Sequence, residues 1–191
     1  MFYSNFFDNL LISVRKKVLE ISDIQKQDRV LDVCCGTGDQ ATLFSNYSDF
    51  VYGIDLDSRM IEFAINRKSN VRFGVAYAEH IPFPDEYFDI VSISLALHEK
   101  DENLRKLVFS EIKRVVKKQG KIIIADYNYP LPFNFISFLI IIIERMAGEY
   151  HFNSFKNYLS LGGLNNLTKE LKIEKQDFAI RKIIKIIKII K

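Results

Sequence analysis

The 191-residue chain has only two cysteines, Cys34 and Cys35, and they are adjacent. Neighbouring thiols cannot staple distant segments and do not have the ligand spacing of a cysteine zinc module. A disulfide scaffold is therefore excluded, and a reducing cytoplasm is the expected compartment. No sign of charge dominates, since 27 basic and 24 acidic residues leave a formal net charge of +3. That balance excludes an extended nucleic-acid footprint. Long hydrophobic runs are also missing. The longest, FNFISFLIIII at residues 133–143, is roughly half of the ~20 residues that a bilayer requires, so it predicts a buried or lid helix and no transmembrane segment. The opening MFYSNFFDNLLISVRKK has no basic region ahead of its apolar residues and no small-residue cleavage site, so it does not read as a signal peptide.

What is present is the composition of one domain with a real core, 48% hydrophobic and 27% charged. One domain over residues 1–191 is expected. Phe7, Leu10, Leu11, Val14, Val18 and Ile21 fall at helical spacing, with Arg15, Lys16 and Lys17 on the other face. They predict an amphipathic helical cover within residues 1–27. Short apolar runs then alternate with helical patterns: RVLDVC, a helix from about Asp39, FVYGID, a helix from Ser58 to Arg67, VRFGVA, FDIVSISL, a helix from about Asp101, and GKIIIADY. Such alternation predicts an α/β core over residues 28–127, with parallel strands joined by crossover helices. The helix from Asp101 carries a stripe of Leu104, Val108, Ile112, Val115 and Val116, and Gly120 is expected to end it.

Beyond Tyr127 the two prolines of NYPLPFNF interrupt regular structure. The apolar run and the aromatic stretch GEYHFNSFKNYLSLGGL then predict a lid insert over residues 128–165. The tail RKIIKIIKIIK, within the C-terminal strands expected over residues 166–191, has two readings. One is a final buried strand whose lysines reach outward; the other is a helix in weak association with a membrane surface.

The chemistry starts at VLDVCCGTGDQA, residues 30–41. Apolar Val30, Leu31 and Val33 lead into Gly36-Thr37-Gly38 and then helix-favouring residues, which places the small residues at a strand-to-helix turn. Glycine there lets backbone approach a ligand, and the helix beyond offers unpaired N–H groups. Gly36, Gly38 and Ala41 also satisfy the Gly-x-Gly-x-x-Ala pattern of a nicotinamide pyrophosphate site. Further on, FVYGIDLD puts Asp55 at the end of the second strand, where a carboxylate accepts hydrogen bonds from both hydroxyls of an adenosine ribose. Capping of the next helix suits Asp57 or Ser58 better. Asp32, inside the first strand, separates the two cofactors. A pyrophosphate has no use for that carboxylate, whereas the ammonium of S-adenosylmethionine does.

Taken in order, VLDVCCGTGD, GIDLDSRMIEFA, AEHIPFPDEYFDIV and EIKRVVKKQGKIIIAD resemble the successive motifs of class I S-adenosylmethionine-dependent methyltransferases across about residues 28–127. The Cys-Cys-Gly-Thr-Gly-Asp variant resembles their ubiquinone/menaquinone C-methyltransferase branch. The resemblance implies a Rossmann-like, doubly wound seven-stranded sheet with helices on both faces, mostly parallel with an antiparallel last strand. It implies S-adenosyl-L-methionine as cofactor and S-adenosyl-L-homocysteine as product. Asp32 would orient the amino group, with Gly36 and Gly38 bordering the methionine moiety and Cys34 at a position usually held by glycine. Asp55, followed by Leu56, would take the ribose. Ala78 and Glu79 would flank adenine, and Ser94 and Leu95 would lie near the methionine end. Departures from the pattern are Tyr77 where an acidic residue is common, Lys118-Gln119-Gly120 in place of a Pro-Gly-Gly turn, and LALHEK in place of the segment expected after the fourth strand in quinone enzymes.

Methyl transfer is an in-line displacement at a carbon already activated by positive sulfur, so the protein chiefly aligns the acceptor and excludes water, and no metal is required. An acceptor that bears a proton calls for a general base. The candidates are His98, in SLALHEKDE after the fourth strand, and His151 and Tyr150 in the aromatic stretch. A loop or helix-cap role is the plainer reading of His98. The apolar lid suggests a small hydrophobic or aromatic acceptor. Two other functions stay open: a nicotinamide-dependent reductase, although no Tyr-x-x-x-Lys pair occurs, and a protein that binds S-adenosylmethionine without turnover.

Overall fold

The structure is a computed structural model that describes residues 2–67 and 69–191, with side chains from Leu10 onward; the Phe7 side chain lies outside the described residues. The elements in chain order are α1 (Phe2–Ser22), β1 (Arg29–Val33), α2 (Asp39–Phe44), β2 (Phe50–Asp55), α3 (Ser58–Asn66), β3 (Arg72–Val75), β4 (Phe88–Ser94), α4 (Glu102–Val115), β5 (Val116–Tyr127), α5 (Phe135–Met146), α6 (Glu149–Ser160), α7 (Leu164–Leu167), β6 (Ile173–Ala179) and β7 (Ile184–Ile190).

The seven strands form one sheet in the order β3-β2-β1-β4-β5-β7-β6. Neighbours from β3 through β5 pair in parallel. β7 runs antiparallel to both β5 and β6, so it alone is reversed. From β1 the chain steps outward to β2 and β3, then returns to lay β4 on the other side of β1. Because parallel crossovers are right-handed, that reversal puts α2 and α3 on one face of the sheet and α4 on the other. The central strands are covered on both faces, and Val30, Leu31, Val33, Ile90, Val91, Ile122, Ile123 and Ile124 are all buried.

Helix ends follow their capping residues. Asp57 accepts from the Arg59 N–H at 2.9 Å and opens α3, and Asp101 accepts from the Leu104 N–H at 2.9 Å and opens α4. Val14, Val18 and Ile21 of α1 are buried, and the helix packs on β5, β6, β7 and α2. It is held there by Lys17–Asp177 at 2.6 Å and Arg15–Asp39 at 2.9 Å.

One expectation changes and two open readings are decided. Gly120 does not end α4. The helix stops at Val115 and β5 begins at Val116, with a register shift against β4 that takes up the extra residues before Lys121. The apolar run forms α5, but its buried positions are Ser137, Ile140 and Glu144, while Phe135, Phe138, Ile141, Ile142, Ile143 and Met146 are exposed. It is a surface helix with one buried edge and not a buried helix. In the tail the strand prevails over the membrane-surface helix. Ile186, Ile187 and Ile189 are buried, Lys185 Nζ reaches Asn165 Oδ1 at 2.6 Å, and Lys188 Nζ reaches Glu174 at 3.3 Å. Those polar ends leave the aliphatic stems inside.

Candidate active site

The order of the sheet reverses between β1 and β4, and open α/β sheets bind ligands outside the carboxyl ends of strands at such a point. Here the turn after β1 is built from left-handed backbone, with φ of 56° at Cys34, 52° at Gly36 and 76° at Gly38. The two glycines differ in use. A Cβ on Gly36 would meet nothing within 4 Å, so its backbone faces open space; one on Gly38 would come within 2.5 Å of the Phe73 ring and 2.9 Å of Ala64. The turn is tied to β2 as well, because the Gly36 N–H donates to Asp55 Oδ2 at 2.7 Å and the Asp57 N–H donates to Asp55 Oδ1 at 2.9 Å.

Two cavities flank Gly36. One, of about 200 Å³, is walled by Asp32, Cys34, Gly36, Gln40, Ser94 and Leu95, with Leu11 and Arg15 of α1 above. The other, of about 510 Å³, is walled by Asp55, Leu56, Ala78, Glu79 and Leu95, among others. They share Cys34, Gly36 and Leu95. Gln40 Oε1 and Ser94 Oγ are buried without a partner among the described residues, and both residues wall the smaller cavity. Buried polar atoms without a protein partner are free to bond to a polar group or water in the cavity.

Comparison with known proteins points the same way. Residues 31–124 match the family described as "Methyltransferase domain". An uncharacterised methyltransferase, YcgJ of Bacillus subtilis, is 34% identical over 118 residues, 59% of this chain and 46% of that protein. A demethylmenaquinone methyltransferase of Thermotoga maritima is 28% identical over 171 residues, 84% of this chain and 72% of that protein. Among solved structures, a magnesium protoporphyrin IX methyltransferase of Synechocystis with bound S-adenosylhomocysteine superposes with a TM-score of 0.69 at 13% identity, over 96% of this chain and 86% of that one.

Residues 31–124 carry the methyltransferase domain, and the relatives and fold neighbours support a class I S-adenosylmethionine-dependent methyltransferase.

The nicotinamide reading of the glycine turn is not favoured by these similarities. The chain spans under half of the YcgJ protein that it matches.

In this methyltransferase, nine of the ten residues expected at the cofactor wall one or both cavities: Asp32, Cys34, Gly36, Asp55, Leu56, Ala78, Glu79, Ser94 and Leu95. Gly38 is the exception. It opens α2 and packs against Phe73 and Ala64, which gives it a conformational place behind the wall. The floor beneath Ala78 and Glu79 is held from α4. Arg114 donates to the carbonyls of Ile81 at 2.9 Å and Phe83 at 2.8 Å, and Glu111 accepts from the Ile81 N–H at 2.8 Å.

Burial pushes the Asp32 carboxyl up to about 7, with the nearby Asp55 adding to the rise. A cationic group beside it would restore the charged form. Cys34 is pushed up to about 11, again first by burial, so it presents a neutral thiol to the cavities. Partial burial works to raise Asp39, but Arg67, Arg15 and Thr37 prevail and hold it below its ordinary range.

A third cavity, of about 220 Å³, is almost wholly apolar and is walled by Leu10, Leu11, Leu95, Tyr127, Ile140, Ile143, Ile180 and Ile184. It shares Leu11 and Leu95 with the smaller of the two cavities beside Gly36. Leu95 therefore stands at the junction of all three, with a left-handed φ of 54°.

The expected base candidates sit elsewhere. His98 is 4% exposed and walls none of the three cavities. Tyr150 is exposed, its hydroxyl 3.2 Å from Asp101 Oδ2, on the outer end of α6. His98 and His151 do come together, but around two carboxylates that sequence reasoning missed, Asp126 and Glu144. Asp126 was visible only as the polar residue inside IIIADY, and Glu144 only as the acid that ends an apolar run.

Proposed function

We propose that the chain transfers the methyl group of S-adenosylmethionine to a small hydrophobic or aromatic molecule held in the apolar cavity between α1, α5 and the ends of β5 and β7. The observation that carries this reading is the position of Leu95, common to both cofactor cavities and to the apolar one.

The cofactor supplies an electrophilic methyl group on a sulfonium. Asp32 pairs with its ammonium in the smaller cavity, where Ser94 and Gln40 have free polar atoms. Asp55, held rigid by two backbone N–H groups, keeps unused lone pairs for the ribose hydroxyls, and Ala78 and Glu79 flank the adenine. The aliphatic wall around Leu95 excludes water from the acceptor and fixes its approach. The apolar lining, and the quinone substrate class named for the Thermotoga relative, support a lipophilic acceptor.

Calorimetry with S-adenosylhomocysteine, followed by methyl-group turnover on a panel of phenols, quinols and isoprenoid-bearing aromatics, tests the reading. Absence of binding to the intact protein overturns it. A second reading, binding without turnover, draws on one observation: Tyr127 is the polar side chain of the apolar cavity, and its hydroxyl is committed to Glu144 at 2.7 Å. Tight binding with no product from any acceptor class favours that second reading.

A further inference from the structure

Beneath the lid, the loop after β4, the end of β5 and helices α5 and α6 converge on one carboxylate. Glu144 projects from α5 and is 5% exposed. Its Oε1 accepts from the Tyr127 hydroxyl at 2.7 Å and lies 3.6 Å from His98 Nε2; its Oε2 lies 2.5 Å from His151 Nε2. Behind His98, Nδ1 is 2.7 Å from Asp126 Oδ1, and behind His151, Nδ1 is 3.8 Å from Glu99 Oε2. Both imidazoles thus turn Nε2 toward one carboxylate and keep Nδ1 against another. Asp126 is itself fixed, because its carboxylate also accepts from the backbone N–H groups of Leu97, His98 and Tyr127.

We propose that His98 Nε2, His151 Nε2 and the Glu144 carboxylate bind one divalent transition-metal ion, zinc by preference, which fastens α5 and α6 to the loop after β4. The donor set is the first reason. Two imidazoles and a carboxylate suit zinc and its neighbours, and three protein ligands leave a fourth position for water. Spacing is the second. Ligands at about 2.0–2.2 Å in a tetrahedral site stand about 3.3 Å from one another, and one donor atom from each of the three residues lies within 4.8 Å of the others. The His98–Glu144 separation of 3.6 Å already matches. The His151–Glu144 pair must open by less than about 1 Å, and His151, with a side chain 23% exposed at the edge of the lid, has room to do so. The outer groups are the third reason. Metal-binding histidines characteristically donate their other N–H to a carboxylate or carbonyl, which selects the tautomer and aims the ring. Asp126 stands in that position behind His98, and Glu99, at 3.8 Å, faces His151 Nδ1 from the same side without a hydrogen bond. Charge is the fourth, since two buried carboxylates, Asp126 and Glu144, face the same few ångströms of interior, and such an arrangement favours a cation between them.

The inference does not depend on methyl transfer. The full-length protein, stripped with a chelator and dialysed, is titrated with Zn²⁺ by calorimetry and with Co²⁺ by visible absorption, and S-adenosylhomocysteine binding is measured on the same sample. One ion per chain is expected, with a tetrahedral cobalt spectrum that has no thiolate charge-transfer band. Glu144→Gln and His151→Ala abolish it. Glu99→Gln, on a partly exposed side chain, keeps the fold and weakens Zn²⁺ by up to about tenfold by removing the carboxylate charge that faces His151 Nδ1 at 3.8 Å. His151→Ala also remains testable should Glu144→Gln fail to fold, because the ring lies at the lid edge. No Zn²⁺ binding by the intact protein, binding unchanged in His151→Ala, or a cobalt spectrum dominated by thiolate overturns the proposal and leaves a purely hydrogen-bonded latch.

Discussion

The Gly36 N–H donates to Asp55 Oδ2 at 2.7 Å, so the glycine turn after β1 and the carboxylate at the end of β2 form one unit. The acceptor proposed for the ribose is thus also the anchor of the turn that must approach the cofactor. Asp55→Ala should weaken S-adenosylhomocysteine by at least about 100-fold, because two charged hydrogen bonds of about 1.5–3 kcal/mol each are lost. The apo protein should also melt lower, since the Gly36 and Asp57 N–H groups lose their acceptor. Calorimetry and thermal melting on one sample check both; unchanged affinity would remove Asp55 from the site.

The two glycines of the turn should fail differently. Gly38→Ala forces a Cβ to within 2.5 Å of Phe73 at a φ of 76°, and a loss of about 2 kcal/mol or more of stability is expected from the clash and the strained backbone together. Gly36→Ala meets no protein atom, so its cost is the strain of about 1 kcal/mol together with a severe loss of cofactor affinity. Denaturant midpoints and binding heats separate them. Equal destabilisation by both would contradict the geometry.

Asp32 sets a pH dependence. In the folded chain its carboxyl is raised from 3.8 to about 7, so across that window the folded state holds a proton that the unfolded state has released. Stability from this group therefore falls as pH rises from 3.8 toward about 7 and levels off above it. Cofactor binding runs the other way, because the ammonium needs the carboxylate. Affinity for S-adenosylhomocysteine should rise about tenfold per unit of pH up to about 7, with release of about one proton at the lower end. Calorimetry at pH 6 in two buffers of different ionisation enthalpy reads that proton directly, and Asp32→Asn should abolish it.

Cys34 holds a φ of 56° with a side chain, where glycine is unstrained. Cys34→Gly should leave stability equal or raise it by up to about 1 kcal/mol, while Cys34→Ala, which keeps the strained backbone, should not. Thermal melting distinguishes the two variants.

Much of the fold was legible in the chain because its signals are local. The alternation of apolar strands and amphipathic stretches predicts the parallel core, and Asp57 and Asp101 cap α3 and α4 as short polar side chains do. The seven-stranded sheet with an antiparallel last strand came from resemblance to a family, and the pairings agree with it; the strand order came from the structure. Gly120 misled because a glycine after a basic helix end reads as a stop, whereas here it lies inside β5, close to Val116 and the Asp89 carbonyl.

The sequence by itself determined the turn VLDVCCGTGD and the two carboxylates at neighbouring strand ends, because strand, glycine turn and helix follow one another within a few residues and each acts through its own backbone. Only the tertiary structure decided that Gly38 packs inward, that the lysines of the tail find Asn165 and Glu174, and that His98, Glu144 and His151 meet. Those groups are far apart in the chain or carried on separate elements, and their proximity depends on how α5, α6 and the C-terminal strands pack together, which no local pattern of residues encodes.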